Sequence, residues 1–98
     1  MKILLCCRAG VTSNMFAAKL KDAADQKGIE LNVWAAAETA VEYSIDRADI
    51  VLVTPQLRSS LTKFEDLASA DTPVILISDE DFENFNAEKV LNEALAQL

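Results

Sequence analysis

The chain contains no histidine. That removes Cys-His and Ser-His catalysis within the molecule, and with it the commonest metal ligand. The two cysteines, Cys6 and Cys7, are adjacent. Neighbouring side chains in a regular strand point to opposite faces, so they make a poor zinc site and do not bridge each other easily. Nothing resembles a disulfide framework, which fits a reducing compartment. Only two glycines are present, and the phosphate loop G-x-x-x-x-G-K-[ST] is missing, which excludes a P-loop NTPase. Aromatics are few, and Trp34 and Tyr43 are poorly placed to hold a flavin, so no cofactor is expected. Basic residues are outnumbered: 9 Lys and Arg stand against 16 Asp and Glu, a net charge of −7 with no basic stripe, which argues against nucleic acid. No apolar run approaches the ~20 residues of a membrane helix, and the start lacks a secretory signal pattern. A soluble, cytoplasmic chain without direct membrane insertion is the expectation.

What is present suits one domain spanning 1–98, with 51% hydrophobic residues to fill a core. Three apolar runs read as buried strands: Ile3-Leu4-Leu5-Cys6-Cys7, Ile50-Val51-Leu52-Val53 and Val74-Ile75-Leu76-Ile77. Leu31, Val33 and Ala35 alternate as in an edge strand. Between the strands lie helical stripes. Phe16, Leu20, Ala23 and Ala24 form the first, which Gly28 ends. A short helix is read over 38–46 with Val41 and Ile45 inward, and Leu57, Leu61, Phe64 and Ala68 mark the next. Asn86 is expected to cap a last helix with Val90, Leu91, Ala94, Leu95 and Leu98 inward. Residues 78–85 read as loop, with Asp79-Glu80-Asp81 a solvated acidic run. Four strands alternating with four helices define an α/β fold: a four-stranded parallel sheet of order 2-1-3-4, flanked by helices on both faces, a flavodoxin-like or Rossmann-like three-layer arrangement. Its crevice lies at the carboxyl ends of strands one and three, where strand order reverses. Cys7 and Thr54-Pro55-Gln56 meet there.

The first strand runs into Arg8-Ala9-Gly10-Val11-Thr12-Ser13-Asn14 and then a helix. Amides of such a turn converge on an anion, and the helix start adds partial positive charge. The same field favours a thiolate. Cys7, where strand gives way to loop, is read as reactive; Cys6, one residue earlier, as core. Gly10 permits close backbone approach to a phosphate. Thr12 or Ser13 caps the helix. Arg8 is a surface charge or a contact for a phosphorylated partner.

Cys-x-x-Gly followed by an apolar residue and hydroxyls, as in Cys7, Gly10, Val11, Thr12 and Ser13, resembles the active-site loop of the enzyme IIB components of the sugar phosphotransferase system, lactose/cellobiose (chitobiose) type. Asn14 replaces the last hydroxyl of that pattern. Val51-Leu52-Val53-Thr54-Pro55-Gln56 is similar to the group's strand ending in Gly-Pro-Gln, with Thr54 in place of glycine. The resemblance implies a transferase: a phosphocarrier that accepts phosphate from a phosphorylated IIA protein onto Cys7 as S-phosphocysteine, then passes it to a sugar held by the membrane-embedded IIC permease. Cys7 would be catalytic. Arg8, Ala9, Gly10, Val11, Thr12 and Ser13 would bind the phosphoryl group, with Asn14, Pro55 and Gln56 supporting. Two other classes stay open on the residues alone. A low-molecular-weight phosphatase or arsenate reductase needs an arginine where Ser13 stands, counted from Cys7. A non-enzymatic regulatory module would leave both cysteines inert.

Overall fold

The run Ile3–Cys7 forms the centre of the molecule because every residue in it is buried, as a parallel strand covered on both faces requires. The computed structural model describes residues 1–8 and 11–98. Its elements are β1 (Lys2–Cys7), α1 (Val11–Gln26), β2 (Asn32–Ala37), β3 (Ile50–Val53), α2 (Leu61–Leu67), β4 (Val74–Leu76), α3 (Asp79–Glu83) and α4 (Ala87–Ala96). Short 3-10 turns occupy Glu38–Tyr43, Ile45–Arg47 and Pro55–Ser60. All strand pairs are parallel, in the order β2-β1-β3-β4 expected from the sequence.

Strand alternation divides the interior into two cores. Ile3, Leu5, Ile50 and Leu52 face α1 and α4 and pack with Phe16, Leu20, Ala24, Val90 and Leu91. Leu4, Cys6, Val51 and Val53 face the other side and pack with Val41, Ile45, Leu57 and Phe64. Register pairs Leu4 with Val51 and Cys6 with Val53, so aligned residues of neighbouring strands share a face.

Helix α1 ends as its glycine predicts. The Ile29 N–H donates to the Ala24 carbonyl at 2.9 Å and the Gly28 N–H to that of Asp25 at 3.1 Å. With Gly28 at φ +71°, this is a Schellman closure, and Ile29 packs against the core that holds Ala24.

The structure corrects several expectations. The helix read over 38–46 is two 3-10 turns, although Val41 and Ile45 do point inward. The third stripe is split: Pro55–Ser60 is a 3-10 turn with a non-helical Leu57, and α2 begins only at Leu61. The run Val74–Ile77, read as buried, lies at the sheet edge that the order 2-1-3-4 gives it, so Leu76 is 41% exposed. Leu98 lies beyond α4 and is 65% exposed.

Within the segment read as loop, Asp79–Glu83 form the short helix α3. Ser78 caps α3 by accepting from the Asp81 N–H at 3.1 Å, and Phe82 stacks against Phe16 with ring centroids 5.4 Å apart. Asp81 is buried rather than solvated. Its Oδ1 accepts from the Asn86 amide at 2.9 Å and from the Lys89 ammonium at 3.2 Å. Asn86 stands at the start of α4 but makes no side-chain cap there; its amide is turned to Asp81 instead. Among the described residues no helix is long and apolar enough to cross a membrane.

Candidate functional site

Strand parity separates the two sulfurs. Cys6 is fully buried in the core beneath Val41, Leu57 and Phe64. That burial, with a smaller contribution from the adjacent Cys7, pushes the Cys6 thiol up to about 12, so it stays protonated and inert at neutral pH. Cys7 points to the opposite face and belongs to neither aliphatic cluster. It is only 4% exposed. Its Sγ lies 3.7 Å from the Ala36 carbonyl oxygen, a weak S–H donor contact that holds the sulfur toward β2.

The helix that follows begins at Val11. Thr12 and Ser13 are therefore residues of its first turn, not caps. The N–H groups of that first turn have no carbonyl four residues earlier within the helix, and they carry the positive end of its dipole. Ser13 is buried, whereas Arg8, Thr12 and Asn14 are exposed. Ala9, Gly10 and the side chain of Val11, all assigned to phosphate binding on the sequence, lie outside the described residues.

From β3 the sheet brings up the second predicted segment. The Thr54 N–H donates to the Cys6 carbonyl at 3.0 Å, extending the β1–β3 ladder by one residue. Thr54 therefore stands beside Cys7. Pro55 is buried behind it and Gln56 is exposed at the rim. Topology thus joins two segments nearly fifty residues apart, as the strand order implied. The sequence places Thr54 beside Cys7 and marks it as a departure from a motif without giving it a role, yet it is the most unusual residue of the site. It is completely buried, and its Oγ1 has no hydrogen-bond partner among the described residues. An unmet buried hydroxyl costs about 1–3 kcal/mol. The signal available in the sequence was a hydroxyl residue directly after an uninterrupted apolar strand.

Polar links tie the rim together. Ser60 Oγ donates to the Glu38 carboxylate, joining the segments after β3 and β2. Arg58 pairs with Asp79 at 3.2 Å across the ends of β3 and β4. Among the described residues no three metal-binding side chains cluster. Among the described residues, grooves open at the amino end of the sheet. One of about 360 Å³, lined by Lys2, Asn32, Val33, Trp34 and Arg47, is at the amino ends of β1 and β2, opposite Cys7.

Fold and site define a class: a doubly wound α/β domain with a thiol at the carboxyl end of its first strand, where strand order reverses. Residues 2–93 match the family described as PTS system, Lactose/Cellobiose specific IIB subunit. The chain belongs to that family, and is thus a phosphocarrier of a sugar phosphotransferase system. It is 34% identical over 77 residues to the oligo-beta-mannoside-specific EIIB component of Bacillus subtilis (strain 168), covering 76% of this chain and 75% of that protein. The cellobiose-specific IIB component of Borrelia burgdorferi is similar in structure with a TM-score of 0.79 and 34% identity, over 99% of this chain and 90% of that one. The lactose-specific IIB domain of Streptococcus pneumoniae shares the fold at a TM-score of 0.86 and 18% identity, over 99% and 96% of the two chains.

Proposed function

We propose that Cys7 is the phosphoryl-carrying residue of this IIB component. The thiolate sulfur attacks the phosphorus of a phosphohistidine on a IIA protein, in line with the leaving nitrogen. The S–P bond forms as the P–N bond breaks, and its electron pair leaves with an imidazole that departs neutral because its other nitrogen carries the proton. In the second step a sugar hydroxyl, presented by the membrane-embedded IIC partner, attacks the same phosphorus. The O–P bond forms, the S–P pair returns to Cys7, and the hydroxyl proton passes to a base at the acceptor site.

The observation that carries this reading is the parity of the two sulfurs: Cys6 is sealed in an aliphatic core, and Cys7 stands outside both cores at the crevice. Amides of residues 8–13 and the start of α1 bind the phosphoryl oxygens. Thr12 and Ser13 offer hydroxyl donors, with Asn14, Pro55 and Gln56 shaping the rim. Arg8 is exposed and meets the incoming donor. The buried Ser13 occupies the position from which a phosphatase would extend its arginine, so no guanidinium drives hydrolysis and the carrier protects its phosphate from water.

The sequence holds no histidine, in keeping with a donor imidazole carried by a IIA protein. The sugar is a β-linked disaccharide or short oligosaccharide, in keeping with the cellobiose and oligo-beta-mannoside relatives. The chain works as one domain, in the cytoplasm, against its membrane-embedded partner. Phosphorus NMR of the protein mixed with a phosphorylated IIA protein tests this. A phosphothiol resonance is expected; free inorganic phosphate released with turnover would indicate a phosphatase instead.

A further inference from the structure

We propose that Thr54 is a phosphoryl-binding residue, its buried hydroxyl donating a hydrogen bond to an oxygen of the phosphoryl group on Cys7. The inference rests on Cys7 being the carrier. Its grounds in the structure are separate.

The first ground is placement. The Thr54 N–H bonds the Cys6 carbonyl at 3.0 Å, and the Ile77 N–H bonds the Val53 carbonyl at 2.8 Å. The row across the sheet at this level is therefore Ala37, Cys7, Thr54 and Ile77. Residues aligned in a parallel sheet share a face. Cys6 and Val53, one step earlier, lie in the core opposite α1, whereas Ile77 lies in the α1 core. Cys7 and Thr54 consequently point together to the face covered by α1. The free thiol leans toward β2 through its Ala36 contact. A sulfur bonded to phosphorus has no S–H to donate there and is free to turn toward β3. With neighbouring strands ~4.8 Å apart, a phosphoryl oxygen then comes within reach of the Thr54 hydroxyl.

The second ground is the hydroxyl itself. Thr54 occupies the cap position of the 3-10 turn Pro55–Ser60, where a threonine oxygen commonly accepts a backbone N–H. Here it makes no such bond. Pro55 has no N–H, and the Leu57 N–H goes to the Thr54 carbonyl at 3.0 Å. Buried polar atoms are nearly always paired, so an exception calls for an explanation such as a role in the site's chemistry. Cys7 and Ile77 on either side offer no strong acceptor. A phosphoryl oxygen supplies one, and the helix start of α1 binds the same group from above. The contact exists only in the phosphorylated state, so it favours that state selectively.

The test compares wild type, Thr54→Val and Thr54→Ser, each equilibrated with a phosphorylated IIA protein, with phosphate located by peptide mapping and melting followed on the unphosphorylated forms. Thr54→Val removes an unmet hydroxyl and should melt at or above the wild-type temperature. Its phosphocysteine level should nevertheless fall about tenfold, as loss of a charge-assisted bond implies. Thr54→Ser should restore most of it. Wild-type levels in Thr54→Val, or equal loss in Thr54→Ser, would overturn the proposal. Wild type without phosphate on Cys7 would instead overturn the carrier reading, and this inference with it. If Thr54→Val melts well below wild type, NMR of the wild type decides. Coupling between the Thr54 hydroxyl proton and phosphorus should appear on phosphorylation, and unchanged Thr54 side-chain signals would contradict the proposal.

Discussion

The scaffold and the carboxyl rim of the sheet treat their polar groups in opposite ways. In the scaffold they are met. Gly28 closes α1 with two backbone bonds, Asp81 is held by Asn86 and Lys89, and the Trp34 indole N–H reaches Ser44 Oγ at 3.1 Å. At the rim, a fully buried hydroxyl has no partner among the described residues, beside a thiol that belongs to neither core. These scaffold groups are satisfied from within the chain, and under the proposed carrier role the rim's partner is a phosphoryl group that comes and goes. Damage to the first should reduce stability, and damage to the second should reduce function.

The largest effect is expected at the sulfurs. Cys7→Ser should abolish phosphate acceptance while leaving the fold intact. Cys6→Ser should keep acceptance and lower stability by about 1–2 kcal/mol, because a hydroxyl replaces a small hydrophobe in an apolar core. Intact mass after incubation with a phosphorylated IIA protein, and urea denaturation, measure the two quantities. Next comes Phe64→Ala on the Cys6 face, where a wholly buried ring is removed. A loss of about 3–5 kcal/mol in denaturant melts is expected, with phosphate acceptance unchanged per folded molecule. Loss of acceptance beyond the unfolded fraction would break the separation between scaffold and rim.

Smaller effects test the scaffold's completeness. Gly28→Ala meets open space around its new methyl group, so its expected cost of about 1 kcal/mol comes only from the positive φ. Asp81 sharpens the same point through pH. The Asn86 hydrogen bond, aided by Lys89 and opposed by burial, holds its carboxyl below the usual range. Its stabilisation is present above the unfolded value of ~3.9 and is lost as pH falls through the lowered folded value. The Asp81 contact raises Lys89, whose contribution is present below its unfolded value of ~10.4 and fades as pH rises through the folded one. Asp81→Asn should therefore flatten both limbs of a plot of melting temperature against pH. An unchanged plot would show the pair to be idle.

The architecture was legible in the sequence where burial is two-sided. Ile3–Cys7 and Ile50–Val53 are continuous apolar runs because helices cover both faces, and strand order followed from which runs were apolar. The Cys7 crevice followed from that order. What was misread has physical reasons. The segment 78–85 mixes four acidic residues with two phenylalanines, and the charges concealed a one-turn helix whose Phe82 is buried. Its sign was Ser78 three residues before Asp81, a capping pattern. The order 2-1-3-4 puts Val74–Ile77 at an edge, as observed, but its apolar run reads as fully buried, whereas an edge strand leaves Val74 and Ile75 half-buried and Leu76 exposed. Leu57–Ala68 has helical spacing throughout, but Pro55 starts the segment as a tighter 3-10 turn. Thr54 was passed over because an orphaned hydroxyl is a property of three-dimensional surroundings, not of spacing.

The account turns on which atom receives the phosphoryl group. Wild type, Cys6→Ser and Cys7→Ser, each incubated with a phosphorylated IIA protein and mapped by peptide mass spectrometry, should place phosphate on Cys7 in the first two and nowhere in the third. Phosphate on Cys6 or on a loop hydroxyl, or a Cys7→Ser protein that still accepts it, would contradict the account.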